Sequence, residues 1–134
     1  MEGRGASHVL AVDIRDVVFQ YNPFDWLKFH RDKALVACDE GIFHDEEWNG
    51  FMMKQAFGGR DEDLAKLSVK NCGVIAGSAT AVEEVCFRIY KDCTTIPYSG
   101  THEMGEVLIV GDQAAYSLQL ADRNHYINTT AKEN

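Results

Sequence analysis

Four short apolar runs, each leading to an acidic or glycine residue, most constrain how this chain can fold. They cover residues 8–12, 34–38, 69–75 and 107–110, of which the third is interrupted by Asn71 and Gly73. Polar or amphipathic segments separate them. Apolar runs of this length are typical of buried strands, and their alternation with helical segments is typical of an α/β sheet. We therefore predict an α/β fold with helices on both faces of the sheet and residues 8–12 as a central strand.

The segments between these runs predict the helices. Thr80 and Glu83 have the spacing of a capping box, and the apolar residues after them recur at helical intervals. The other predicted features are helices over residues 45–57, 61–67 and 112–120, a turn at Pro23, a helical turn over 25–29, a polar loop over 94–105 and a loose tail over 122–134.

Size and charge exclude several classes of protein. The chain has 134 residues, of which 46% are hydrophobic, so it forms one domain that can bury a core. No apolar run approaches the roughly 20 residues that span a bilayer. Thirteen Lys and Arg against 21 Asp and Glu leave a net charge of −8 without a basic cluster, so nucleic-acid binding is not expected. A divalent cation would still allow such a chain to bind an anionic ligand.

Cysteine and large aromatic side chains are assigned to the core. No CxxC pair is present, which excludes a zinc-finger site, and we expect buried free thiols, with one or two disulfides as the alternative. The cysteines are Cys38, Cys72, Cys86 and Cys93. We also expect Phe24, Trp26 and Trp48 to be core residues rather than platforms for a ligand ring.

Carboxylates follow three of the four predicted strands. Asp13 and Asp16 come after the first strand, Asp39 and Glu40 after the second, and Asp112 after the fourth. In open α/β sheets, ligands bind beyond the carboxyl ends of the strands. Two carboxylates at the end of a rigid strand suit a hard divalent cation, and the diphosphate of a substrate can supply further oxygen ligands.

Each of these residues also has a purely structural interpretation. One aspartate of the first pair could cap a turn while the other pairs with Arg15, and Asp112 could be the N-cap of the last helix. Gly73 and Gly77 could permit close packing or a bulge, and the acidic pair after the second strand could be solvated.

Residues 9–24, VLAVDIRDVVFQYNPF, resemble the D-x-R-D-V-V-F-Q-x-D-P-F segment of nucleotide-diphospho-sugar transferases with the GT-A fold. Two later segments resemble that family in the expected order. NCGVIAG at residues 71–77 is similar to its N/C-S-G-V-x-x-G strand, and DQAAY at residues 112–116 is similar to its D-Q-x-x-x-N helix start. The resemblance covers most of the chain from residue 8 to about residue 120.

The resemblance implies a partial GT-A domain, a Rossmann-like mixed sheet flanked by helices, that transfers a sugar from a nucleotide-sugar donor to a glycan or protein acceptor. Asp13 and Asp16 would hold Mn²⁺ or Mg²⁺. Arg15 stands at the third position of the usual Asp-x-Asp motif, where it could itself contact phosphate. The residues implied to contact substrate are Arg15, Glu40, Asn71 and Gly73, and those implied to act in catalysis are Asp112 and Gln113.

The family's nucleotide-binding half would precede the first motif, whereas this chain begins close to it. We therefore expect residues 1–134 to be the central and C-terminal part of such a domain, with a non-catalytic binding or assembly domain as the alternative function. Strand edges left open by a missing half would favour a homodimer. A phosphohydrolase with an aspartyl nucleophile is a third interpretation, but Arg15 replaces the second aspartate which that chemistry requires.

Location follows from the resemblance alone. Such transferases often act in the secretory lumen, and the sequon at Asn128 would be usable there. No apolar signal segment precedes the first strand, and a cytoplasmic location applies if the chain is bacterial or viral.

Overall fold

The computed structural model describes residues 6–58 and 65–121, together with the backbone of residues 126–130. This part of the chain forms a mixed α/β structure with a four-stranded sheet, a separate two-stranded hairpin and four α-helices. In chain order the elements are β1 (His8–Val12), α1 (Pro23–Leu27), β2 (Leu35–Phe43), α2 (Glu47–Phe57), β3 (Ser68–Ser78), α3 (Ala79–Cys93), β4 (Ser99–His102), β5 (Gly105–Leu108), α4 (Asp112–Ala121) and β6 (Tyr126–Thr130). A 3₁₀ turn, Lys28–His30, follows α1.

The strand order of the larger sheet is β1-β3-β2-β6. β3 runs antiparallel to both of its neighbours, and β2 is parallel to β6. The strand β1 is confirmed over residues 8–12, but the prediction that it is central is wrong: in the described sheet it is an edge strand, and all five residues are only half-buried. Because β3 returns antiparallel between them, β1 and β2 point the same way and end at the same side of the sheet.

Helices cover both faces of this sheet, as the apolar runs predict. On one face, Tyr116 and Leu120 of α4 and Val85 of α3 pack with Leu35 and Ile75 of the strands. On the other face, a smaller cluster joins Leu27 of α1 to strand residues. Burial of these apolar side chains, at about 25 cal/mol per Å² of apolar surface, holds the helices against the sheet.

The first residues of the helices differ from the sequence prediction. α3 begins at Ala79, and the hydroxyl of Ser78 accepts a hydrogen bond from the backbone N–H of Ala81 at 3.3 Å. Thr80 is therefore not the N-cap, and the predicted capping box is wrong. Pro23 stands in the first turn of α1, where its missing N–H costs nothing, and Asn22 caps this helix.

The last apolar run is not a buried strand of the main sheet, which contradicts the prediction for residues 107–110. β5 pairs with β4 in the separate hairpin, and β4 lies inside the segment predicted to be a polar loop. Leu108 and Val110 are 56% and 55% exposed. Residues 126–130 were predicted to be loose and instead form β6. The remaining tail residues and residues 61–64 of a predicted helix lie outside the described residues.

Neither the cysteines nor the aromatic residues are as buried as predicted. The four cysteines are free but only half-buried. Phe24, Trp26 and Trp48 are 45%, 40% and 38% exposed, so the prediction that they belong to the core is wrong. No helix in the described part of the chain has the length and apolar character to cross a membrane.

Candidate functional site

The turn after β1 presents two carboxylates to solvent. The backbone N–H of Asp13 donates to the carbonyl of Gly73 at 2.9 Å, which ties the start of the turn to β3. Asp13, Arg15 and Asp16 are all exposed, and within the described chain no ion pair or side-chain hydrogen bond joins either aspartate to Arg15. The structural interpretation in which one aspartate pairs with Arg15 is therefore wrong.

Both aspartates line an open groove of about 410 Å³ at the end of the sheet, which we call the acidic groove. β1 and β2 end on this side, and β3 begins here, so the turn after β1 faces the second half of β2 and the first half of β3. The residues lining the groove are Asp13, Asp16, Val17, Val18, Cys38, Asp39, Glu40, Asn71, Gly73 and Val74. Five of the eight predicted site residues thus meet here.

Asn71 and Gly73 lie on β3 between the two acidic segments. The side-chain amide of Asn71 donates to the carboxylate of Glu40 at 3.1 Å. A Cβ on Gly73 would lie 2.8 Å from Oδ2 of Asp13 and 3.1 Å from Oδ1 of Asn71. Glycine is therefore needed for the Asp13 carboxylate to sit against the strand. The close-packing interpretation of Gly73 is therefore confirmed, and the side chain that it packs against is Asp13.

The third predicted strand end does not join this groove. A Cβ on Gly77 would lie 2.3 Å from the carbonyl oxygen of Ala34, at the opposite end of the sheet, where β2 begins. The expectation that ligands bind beyond the carboxyl ends of the strands does not extend to Gly77, because β3 runs antiparallel to its neighbours and carries this residue away from the groove. There, the close-packing interpretation is confirmed.

A buried ion pair forms the floor beside the groove. Nζ of Lys70 lies 2.5 Å from Oδ2 of Asp39, and the two side chains are 5% and 7% exposed. Oδ1 of Asp39 accepts from the backbone N–H of Gly41, and the backbone N–H of Lys70 donates to the hydroxyl of Ser117. Asp39 is therefore not a solvated strand end. A lysine within an apolar strand was the sequence signal for this pair.

Asp112 and Gln113 open α4 on the other side of β3. Oδ1 of Asp112 accepts from the backbone N–H of Gln113 at 2.8 Å, and the amide of Gln113 donates to Oδ1 of Asn49 at 3.2 Å. The pKa of Cys72 is raised to about 12, mainly by burial, then by the charge of Asp112, by a hydrogen bond to it and by the charge of Asp13. These effects place Asp13 and Asp112 around one thiol.

A second cavity, of about 230 Å³, lies between β3, α2 and the start of α4, and we call it the α2–α4 cavity. It is lined by Asp13, His44, Trp48, Asn49, Met52, Cys72, Val110, Asp112, Gln113 and Ala114. Asp13 lines both this cavity and the acidic groove, so the predicted metal-binding and catalytic residues are neighbours. Arg15 belongs to neither lining. His44 and Trp48 were not predicted as site residues.

The donor atoms of the acidic groove suit a hard cation that is completed by other ligands. Within the described residues, no three His, Cys, Asp or Glu side chains converge on a common metal position. The available donors are the exposed carboxylates of Asp13 and Asp16 and the side-chain oxygens of Glu40 and Asn71. Mg²⁺ is usually held by one or two carboxylates together with waters and substrate phosphates, and this donor set fits that pattern.

Comparison of the chain with models of known protein families finds no match, and neither the curated proteins nor the solved structures compared with it give one. Any functional assignment therefore depends on the residues and geometry of this chain.

Proposed function

We propose that this protein is a metal-dependent glycosyltransferase that moves a sugar from a nucleotide-sugar donor to a hydroxyl-bearing acceptor. The observation that carries the proposal is the position of Asp13 and Asp16 on the wall of an open groove, exposed and without a protein partner among the described residues. The resemblance of residues 9–24 to nucleotide-diphospho-sugar transferases supports the same interpretation.

Asp13 and Asp16 would hold the Mn²⁺ or Mg²⁺ ion. When bound, the cation would neutralise the negative charge that develops on the diphosphate leaving group. Without it, these carboxylates and that of Glu40 would repel a diphosphate, because the groove has no exposed Lys or Arg in its described lining. We therefore expect donor binding to require the divalent cation.

The residues around the pair would position the donor. The amide of Asn71 is directed to Glu40, which leaves its Oδ1 atom near Gly73 as an acceptor for ligand hydroxyls. The absence of a side chain at Gly73 leaves room for Asp13 beside the strand. Arg15, exposed in the same turn, could donate two parallel hydrogen bonds to a phosphate.

Sugar transfer exchanges one bond at the anomeric carbon for another. The acceptor oxygen bonds to that carbon, the bond from the carbon to the diphosphate oxygen breaks, and the nucleoside diphosphate leaves with the electron pair. The acceptor proton passes to a base, and we assign this role to Asp112. Its hydrogen bonds with Gln113 and Cys72 hold the carboxylate in place at the edge of the α2–α4 cavity.

Calorimetric titration with a panel of nucleotide sugars, in MnCl₂ and in EDTA, tests the proposal. We expect binding only with the metal, and its loss in Asp13→Asn and Asp16→Asn. Asp32→Asn is the matched control, because Asp32 is exposed and pairs with Lys33 outside the groove. Equal affinity in EDTA, or in both groove variants, would contradict the proposal.

Release of the nucleoside diphosphate, followed by phosphorus NMR, separates transfer from binding. A transferase releases it from at least one nucleotide sugar when acceptor or water is present, and Asp112→Asn reduces the rate while the donor still binds. Metal-dependent binding without any release in the wild type would overturn the enzymatic part and favour a non-catalytic binding domain.

A further inference from the structure

The α2–α4 cavity contains a buried histidine that the proposed function does not use. His44 follows β2 directly and is 3% exposed. Its backbone N–H donates to the carbonyl of Leu67 at 2.9 Å, and its Nδ1 lies 3.4 Å from the carbonyl oxygen of Asn49. The backbone of His44 is therefore held to the segment before β3, and its ring is held to the first turn of α2.

The one hydrogen bond of this ring leaves its other nitrogen without a partner among the described residues. A carbonyl oxygen can only accept, so Nδ1 carries the hydrogen, and Nε2 of the neutral ring is an acceptor. Burial lowers the pKa of His44 below its ordinary value, which keeps the ring neutral near pH 7. No described residue donates to Nε2. A buried acceptor without a donor is destabilising, and a ligand donor would remove that cost.

The rest of the lining selects for hydroxyl groups and against anions. The carboxylates of Asp13 and Asp112 accept hydrogen bonds, as Nε2 of His44 does, and the lining holds no Lys or Arg among the described residues. A phosphate or carboxylate would meet two like charges there. Trp48 adds an aromatic surface, which suits the apolar face of a ring whose edge carries hydroxyls.

Size limits the ligand further. The cavity, at about 230 Å³, is smaller than the roughly 300–1,000 Å³ of sites for drug-sized molecules, so it suits a single ring rather than a whole nucleotide sugar. Asp13 also lines the acidic groove, so a ring in this cavity would adjoin a diphosphate held there.

We propose that the α2–α4 cavity binds one uncharged sugar ring and that His44 is a specificity-determining residue, whose Nε2 accepts a hydrogen bond from one ring hydroxyl. This deepens the proposed function and rests on it for the biological role of the sugar. Binding of the ring itself, however, needs neither metal nor diphosphate, and the two proposals can therefore fail separately.

Trp48 reports on the cavity. The chain has two tryptophans, so Trp26→Phe leaves Trp48 as the only indole. In EDTA and without nucleotide, this variant is titrated with glucose, galactose, mannose and N-acetylglucosamine while tryptophan fluorescence is measured. We expect a saturable change with at least one sugar, and Asp16→Asn, which affects only the acidic groove, leaves it intact. No saturable change with any of the four would overturn the inference.

Deoxy analogues of the sugar that binds identify the hydroxyl and its partner. We expect one analogue to bind about tenfold more weakly than the parent sugar, as loss of one hydrogen bond predicts. The affinity of His44→Phe for the parent sugar should fall to the affinity that the wild type has for that analogue, so that the variant binds both sugars equally. His44→Gln, which keeps an acceptor, should restore part of the difference.

Equal binding of all deoxy analogues by the wild-type protein would contradict the role of His44. This measurement uses no substituted protein, so it does not depend on whether a variant folds. Addition of Mn²⁺ and nucleotide sugar then shows whether the sugar in the cavity corresponds to the donor or to the acceptor. Displacement of the free sugar assigns the cavity to the donor, and simultaneous binding assigns it to the acceptor. Sugar binding in EDTA without any metal-dependent nucleotide-sugar binding would support this inference while rejecting the proposed function.

Discussion

Nζ of Lys70 and Oδ2 of Asp39 lie 2.5 Å apart with both side chains almost wholly buried, directly beneath the groove that Asp13 and Asp16 line. The pair joins β3 to β2, and the backbone N–H of Lys70 also bonds to Ser117 of α4. The floor of the candidate site is therefore held by charge as well as by apolar packing. Its geometry depends on both members of the pair.

Lys70→Met should destabilise the protein strongly. Removing the ammonium leaves the carboxylate of Asp39 buried without its counter-ion, which typically costs about 3–5 kcal/mol, measured as the free energy of unfolding in urea. Lys28→Met is the matched control, because Lys28 pairs with Asp25 at the surface and its loss should cost less than about 1 kcal/mol. The double substitution Asp39→Leu with Lys70→Met should recover much of the lost stability. Similar losses at Lys28 and Lys70 would contradict this account.

Gly73→Ala should weaken metal-dependent donor binding by about tenfold or more while changing stability little. The new methyl would lie 2.8 Å from the Asp13 carboxylate, which is exposed and can move away, at the cost of its position as a ligand. Calorimetry in MnCl₂ and thermal unfolding measure the two effects. Gly100→Ala introduces a similar crowding against Ile109 in the hairpin, outside the groove, and should leave donor binding unchanged.

Cys72 should react slowly with iodoacetamide at pH 8, and Asp112→Asn should accelerate the reaction. The reactive species is the thiolate, and a pKa of about 12 leaves little of it at that pH. Removing the charge of Asp112 lowers the pKa of Cys72, although burial still holds it above the ordinary value. Mass spectrometry of the Cys72 peptide gives the rate. Asp92→Asn serves as the control, and acceleration there but not in Asp112→Asn would contradict the placement of Asp112.

Glu46→Ala should destabilise α2, by about 0.5–2 kcal/mol if the effect matches that of other N-caps. The carboxylate of Glu46 accepts from the backbone N–H groups of Trp48 and Asn49, and these bonds lower the pKa of Glu46. Because the folded pKa lies below the unfolded value near 4.5, this stabilisation is present above that pH and is lost as pH falls through the folded pKa. Urea unfolding at pH 7 and at pH 3 measures it.

Substitutions at Glu46 and at its neighbour Glu47 test whether the effect on α2 comes from capping. Glu46→Asp keeps a capping carboxylate and should retain more stability than Glu46→Ala. Glu47→Ala removes a neighbouring carboxylate that makes no capping bond and should have the smaller effect. If the difference in stability between wild type and Glu46→Ala were the same at both pH values, the capping role would be excluded.

Local patterns predicted the elements better than their arrangement. The run at residues 8–12 and the segment at residues 112–120 form a strand and a helix as expected, because apolar periodicity and end residues act within a few residues. The run at residues 107–110 has the same composition but lies in an exposed hairpin. The sequence of an apolar strand does not show whether other elements pack against it, so the exposure of residues 107–110 could not be predicted.

The residues of the candidate site also divide into those that a local pattern predicted and those that only the tertiary structure revealed. Asp13 and Asp16 were identifiable because two carboxylates after an apolar strand are unusual. His44 was not identifiable, since a lone histidine carries no pattern, and its burial against α2 and the segment before β3 is a feature of the tertiary structure. Lys70 gave only a weak signal, as a lysine within an apolar strand, and its partner was identifiable only once β2 placed Asp39 beside it.

The amino-acid sequence by itself determined most of the strands and helices and put carboxylates directly after β1 and within β2. Only the tertiary structure decided that β3 runs antiparallel between those strands. This direction brings Asn71 and Gly73 to the acidic groove and carries Gly77 to the far end of the sheet. The reason is physical: a single strand carries the same backbone donors and acceptors and the same side-chain alternation for either direction, and long-range packing chooses between them.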